Sequence, residues 1–238
     1  MPVDVSNQQL SLGMWLREGA SLDNFFGSEN QQLLQSLHQL TTLRDERFLY
    51  LWGTKGVGKS HLLNAICHAA TARGESSVYL PMQQAEQFAP EMLDGLEQMP
   101  IVAIDDLDAI AGDKAWETAL FNLYNRMRDN GVGSLVLAAH APPSDLGLVL
   151  PDLQSRLSWG LVYQVHVMTD DEKLQALKQR ADSRGFDLPD EVAAYLFRHY
   201  QRQTSKLFDL LERLDQRSLA EQRRLTIPFV KQVIDSEE

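Results

Sequence analysis

The sequence is short of everything that marks an exported, membrane-spanning or nucleic-acid-coating chain. It has one cysteine, Cys67, in 238 residues, so no disulfide can close within it, and its first 30 residues lack the basic start and apolar run of a secretory leader. No apolar stretch approaches the roughly 18 residues that a spanning helix needs. These absences predict a cytoplasmic chain. Basic residues are scarce, 22 Lys and Arg against 33 Asp and Glu, and the net charge of −11 argues against coating nucleic acid as the main task. The histidines show no metal-ligand spacing with Cys67 or with one another. With 44% hydrophobic and 23% charged residues, the composition is that of a globular protein, long enough for one large domain or a large one with a small one.

Residues 1–20 show no sustained period and read as a flexible tail. From there to about residue 165, apolar runs alternate with helical patterns. Phe48-Leu-Tyr-Leu-Trp52, Ser77-Val-Tyr-Leu80, Ile101-Val-Ala-Ile104 and Leu135-Val-Leu-Ala-Ala139 read as strands. Helices are predicted near 60–73, 84–98 and 115–129. Strand and helix in turn imply an α/β fold with a mostly parallel sheet covered on both faces. Beyond 166 no strand pattern remains. Thr169-Asp-Asp-Glu172 has the form of a capping box, and the leucines and valines that follow recur at helical spacing. Residues 166–238 are therefore predicted as a small all-helical unit after a base at 21–165.

Between the first strand and its helix stands Gly53-Thr54-Lys55-Gly56-Val57-Gly58-Lys59-Ser60, a full G-x-x-x-x-G-K-[ST] loop in the strand-loop-helix context it requires. The glycines let the backbone wrap a phosphate, N–H groups point inward, Lys59 supplies a charge to the β and γ oxygens, and Ser60 is placed to ligate Mg²⁺. Asp105 and Asp106 close the run Ile101–Ile104. At the tip of a buried strand beside that loop, Asp105 would hold Mg²⁺ and Asp106 would orient or deprotonate a water. Asp106 is one methylene shorter than the glutamate common at that place, so fast intrinsic hydrolysis is not expected. Arg156, in Leu153-Gln-Ser-Arg-Leu157, carries no such signal on its own; a lone helical arginine is usually solvated or ion-paired.

The phosphate loop, Ile104-Asp105-Asp106, the tract from Leu153 to Leu161 and the helical unit after it together resemble the AAA+ ATPase module of the bacterial replication initiator DnaA. The resemblance covers about residues 22–235, and Leu22-Asp-Asn-Phe-Phe26-Gly is similar to the start of that module. Trp116-Glu117, Leu123-Tyr-Asn-Arg126, Arg184-Gly-Phe186 and Leu225-Thr-Ile-Pro-Phe-Val-Lys231 resemble the branch of regulators that inactivate the initiator. What the resemblance implies is a P-loop AAA+ base with a helical lid, binding ADP or ATP with Mg²⁺, with Phe25, Phe26 and His61 added to the nucleotide contacts. It makes Arg156 an arginine finger and DnaA the partner. It also makes Gln9, Leu10, Leu12 and Met14 a peptide that hooks onto the β sliding clamp, a polar head followed by apolar anchors on an extended tether. Gly13 there gives up pre-ordering that a proline would provide.

Two departures qualify the likeness. The tract from Leu80 to Val102 leaves little room for the helices with which the initiator engages DNA, and no helix-turn-helix pattern follows the lid, so sequence-specific DNA binding is not expected. The sensor strand ends in Ala139-His140, and the lid position where the family has a nucleotide-sensing arginine is Ser205, which favours a bound diphosphate over turnover. The function expected is negative regulation of replication initiation, by promoting hydrolysis of DnaA-bound ATP in trans from the clamp. The alternatives are a DNA-engaging initiator or helicase loader that hydrolyses its own ATP, and a pure adaptor. A homodimer covering Arg156 stays open.

Overall fold

The computed structural model describes residues 20–25, 27–42, 47–199 and 204–235. Its centre is a sheet of five parallel strands in the order β2-β3-β4-β1-β5. These are β1 (Phe48–Trp52), β2 (Ser77–Pro81), β3 (Ile101–Asp105), β4 (Ser134–Ala139) and β5 (Leu161–Gln164). Helices α1 (Gln31–Thr42), α2 (Lys59–Ala72), α3 (Lys114–Asn130) and α4 (Pro151–Leu157) belong to this base. Covered on both faces, β3 and β4 are buried at every residue, which is why they read in sequence as unbroken apolar runs.

Alternation along the strands divides the interior in two. Tyr50, Val78, Leu80, Val102 and Ile104 face a core with Trp116, Leu120, Leu123 and Met127 of α3. Leu49, Leu51, Tyr79, Ala103 and Val136 face another with α1 and α2, built around Leu33, Leu37, Leu62, Leu63 and Ile66. This is the period-two geometry of a pleated strand. Cys67 is buried in the second core, and burial pushes its thiol up to about 11.

Two local readings need correction. The single helix expected over 84–98 is instead three short 3₁₀ turns, Met82–Gln87, Pro90–Leu93 and Leu96–Gln98. Pro90 restricts Ala89 to an extended conformation, and Gly95 sits at φ 84°, so neither allows an α-helix through. Arg126 of α3 pins this stretch, donating to Glu97 at 3.0 Å, Asp94 at 3.1 Å and the Leu93 carbonyl at 3.3 Å. The second correction is β5, absent from the strands read in sequence. It is a four-residue edge strand whose residues alternate between half-buried and exposed, too short a pattern to register as a strand.

The helical lid comprises α5 (Asp170–Ser183), α6 (Asp190–His199), α7 (Thr204–Glu221) and α8 (Ile227–Asp235). Its own core gathers Leu177, Val192, Leu196, Leu211, Leu214 and Phe229. The capping box forms: Thr169 Oγ1 accepts the Glu172 N–H and Glu172 accepts the Thr169 N–H. Glu172 also accepts the Ser28 N–H at 2.6 Å, which ties the lid's first helix to the segment before α1. These donors hold its carboxyl down to about 2. Asn30, buried, trades two hydrogen bonds with the backbone of His166 at 2.9 and 3.1 Å. The chain before α1 thus crosses the junction of base and lid. Among the described residues no helix is long and apolar enough to cross a membrane.

Candidate functional site

Strand β1 ends at Trp52 and α2 begins at Lys59, so the phosphate loop leaves the C-terminal edge of the sheet and runs into a helix N-terminus. Two glycines are required there by what surrounds them. Gly58 sits at φ 105°, and a Cβ on it would lie 2.5 Å from Phe25 Cε2; a Cβ on Gly53 would lie 2.7 Å from the Val165 carbonyl oxygen. Val57 is buried, while Thr54, Lys55 and Gly56 are exposed.

Lys59 is only 5% exposed, and its ammonium donates to the carbonyls of Gly53 at 2.6 Å and Thr54 at 3.1 Å. Burial lowers its pKa, opposed by the charges of Asp105, Asp106 and Asp108. A buried cation facing three acids across a glycine loop suits a magnesium-bound polyphosphate, whose anionic oxygens would replace the carbonyls as acceptors. Lys59, Ser60 and Asp105 are the residues that would hold it.

Asp105, fully buried, accepts the Tyr79 hydroxyl at 2.8 Å on one oxygen and the Asp106 N–H at 3.0 Å on the other. Each oxygen thus has one donor fixed by the fold. Asp106 follows with a left-handed backbone at φ 55°. Burial and the neighbouring Asp105 charge raise its pKa, while His140 and Lys59 pull it down. A carboxyl raised in this way costs stability once ionised. That cost is absent below the ordinary value of 3.8 and complete once pH has passed the raised folded value. Asp106→Asn, which keeps a residue tolerated in the left-handed region, is therefore expected to raise the Tm of the ligand-free protein at pH 7. Calorimetry across pH should show the gain vanishing on acidification below 3.8.

Sequence reasoning did not single out Asp108. Its carboxylate accepts the His140 N–H at 2.9 and 3.1 Å and pairs with His140 Nδ1 at 2.9 Å. It thus ties the turn after β3 to the end of β4. The available signal was a third acid two residues beyond Asp106. His61 donates from Nε2 to the Ser21 carbonyl at 2.9 Å, and its ring lies 5.9 Å from that of Phe25. Both residues join the segment before α1 to the first turn of α2. Phe26, the tail residues Gln9, Leu10, Leu12 and Met14, and the side chain of Ser205 lie outside the described residues.

Arg156 is elsewhere. It occupies the last turn of α4, its guanidinium 4.3 Å over the ring of Trp159, which is 67% exposed. It borders a small cleft with Phe48, Tyr124, Leu135 and Gly160. Phe48 opens β1, its partner Leu135 is the second residue of β4, and Gly160 immediately precedes β5, so Arg156 lies at the N-terminal edge of the sheet. The phosphate loop is at the other edge, a strand length of roughly 15 Å away.

The family model for the bacterial DnaA ATPase domain matches residues 16–164, and that for the Hda lid domain matches residues 170–234. Among solved structures the chain is similar to domain III of the Thermotoga maritima replication initiation protein DnaA, at TM-score 0.77 and 18% identity, covering 93% of this chain and 98% of that one. It is also similar to AMPPCP-bound DnaA from Aquifex aeolicus, at TM-score 0.69 and 18% identity over 84% of this chain and 66% of that one. The Thermotoga maritima RuvB branch-migration motor follows at TM-score 0.64 and 18% identity, over 91% and 72%.

Proposed function

Since the chain belongs to the bacterial DnaA ATPase family and carries a lid of the Hda type, we propose that this DnaA-related replication protein switches DnaA off by completing the site that hydrolyses DnaA-bound ATP. The observation that carries the reading is the placement of Arg156. An arginine at the sheet edge opposite the phosphate loop, on a half-exposed perch over Trp159, cannot serve the nucleotide of its own chain. That supports a role on the nucleotide of a neighbouring molecule.

Docked on DnaA–ATP, Arg156 would set its fork of N–H donors against the partner's γ-phosphate oxygens, where negative charge builds as water attacks. The products are DnaA–ADP and inorganic phosphate. ADP with Mg²⁺ at Lys59, Ser60 and Asp105 would clamp base against lid and so hold the docking surface in one shape. Two things support a diphosphate here: Asp106 is short and raised in pKa, and the resemblance puts Ser205 where the family has its lid arginine. Gln9, Leu10, Leu12 and Met14 would tether the regulator to the β sliding clamp behind active replication forks, raising its local concentration near DnaA.

The test is hydrolysis of ATP on purified DnaA, with clamp loaded on DNA, with and without this protein. We expect strong stimulation, falling at least tenfold at limiting protein when residues 9–14 are removed and recovering at high protein, as loss of a tether requires. Absence of stimulation by folded, nucleotide-loaded protein, together with DNA-stimulated hydrolysis by this chain alone, would instead favour an initiator or helicase loader.

A further inference from the structure

Glu117 is a buried acid that neither the phosphate site nor the arginine uses directly. It lies in the first turn of α3 and is 0% exposed. Its Oε1 accepts the N–H of Gly112 at 2.7 Å and of Val149 at 3.1 Å, and its Oε2 accepts the N–H of Val149 at 3.0 Å and of Leu150 at 2.7 Å. Taking a carboxylate wholly out of water is costly unless its oxygens are fully engaged. Here every engagement is with backbone N–H, and the donors come from two separate stretches.

Those stretches are the ones that matter to the proposed reaction. Gly112 closes the turn that begins at Asp106 and contains Asp108. Val149 and Leu150 end the loop from β4, and Leu150 is the residue that caps α4 without a side-chain hydrogen bond of its own. Helix α4 has seven residues, with Arg156 in its last turn. In so short a helix, where the first turn sits decides where the last one points. Pro151 at its start presets the backbone but contributes no N–H, so Glu117 holds the helix through the two residues before it.

We propose that Glu117 is the positioning residue for Arg156: its carboxylate seats the start of α4 and, through Gly112, locks that helix to the turn that carries the acids of the nucleotide site. The proposal rests on the reading of Arg156 as the trans-acting arginine. The same carboxylate thereby joins the turn at Asp106–Gly112 to the start of α4. A glutamine at 117 would turn an NH₂ toward N–H donors and break part of the seat while preserving size.

The experiment titrates wild type, Glu117→Gln and Arg156→Ala against DnaA–ATP with loaded clamp, and follows amide exchange at Gly112, Val149 and Leu150. Positioning predicts that Glu117→Gln lowers the plateau of stimulation at least tenfold with the half-saturating concentration unchanged, and that the three amides exchange faster. A purely structural role predicts the opposite split, because a partly unfolded population raises the half-saturating concentration and leaves the plateau where it was. That split, or a full plateau, overturns the proposal. If Arg156→Ala itself leaves stimulation intact, the trans-arginine reading fails on its own arm. A plateau loss from Glu117→Gln in that case overturns the positioning role as well, as does unchanged protection of Val149 and Leu150.

Discussion

Arg156→Ala is expected to lower stimulated hydrolysis of DnaA-bound ATP by about 10³-fold or more, the range over which arginine fingers act on phosphoryl transfer. The loss should fall on the chemical step. Arg156 is half-buried, stacked on Trp159, and borders Tyr124, Phe48 and Leu135. Stacking of this kind is worth about 0.5–1 kcal/mol at an exposed site, enough to hold the guanidinium extended and little enough to release it to a phosphate. The stability of the protein should therefore change little, and its own affinity for ADP not at all, because a strand length separates the two sites. Arg156→Lys should fail to rescue, since a point charge on a flexible stem cannot make two parallel hydrogen bonds to a planar array of oxygens. Single-turnover hydrolysis on DnaA–ATP, run beside ADP binding by the variant, separates these expectations. An undiminished rate from the alanine protein would remove the trans-arginine reading.

The second large effect is expected at Gly58. Gly58→Ala would put a methyl group 2.5 Å from Phe25 Cε2 on a backbone held at φ 105°. Two separate costs then arise. The backbone conformation is one that L side chains rarely adopt, and the methyl group overpacks a ring that is 6% exposed in the core against α2. Together they should destabilise the protein by about 3 kcal/mol or more. The corresponding fall in Tm is roughly 10 °C for a domain of this size. Nucleotide affinity should be lost along with the loop's shape. The steric share can be isolated. In Phe25→Ala the ring is gone, so Gly58→Ala added to it should cost clearly less than it does alone, a non-additivity visible in denaturant melts. Strict additivity would mean that Phe25 is not what forbids the side chain.

The positions of the strands and of the phosphate loop could be read directly, because each is a local pattern. Phe48–Trp52, Ile101–Ile104 and Leu135–Ala139 are apolar along their length since both faces of the sheet are covered. The capping box at Thr169 and Glu172 spans three residues and was equally plain. The 3₁₀ stretch from Met82 to Gln98 reads in sequence as one helix because its apolar residues recur at helix-like spacing. Pro90 and Gly95 overrule that spacing through backbone geometry. Four residues of β5 gave too little alternation to be seen, although Leu49–Trp52 pair with all of them.

By itself the sequence determined the fold class, the phosphate-binding loop and the acids at the end of β3. These are set by periodicity and by residue types a few positions apart. Only the tertiary structure decided which distant groups meet. Asp108 and Glu117 each bind backbone 32 residues or more further on, and Asn30 meets His166 across 136 residues. It also decided that Arg156 stands at the sheet edge away from its own phosphate loop. No local spacing encodes these pairings, because a buried carboxylate is satisfied by whichever N–H groups the packed sheet and helices bring to it.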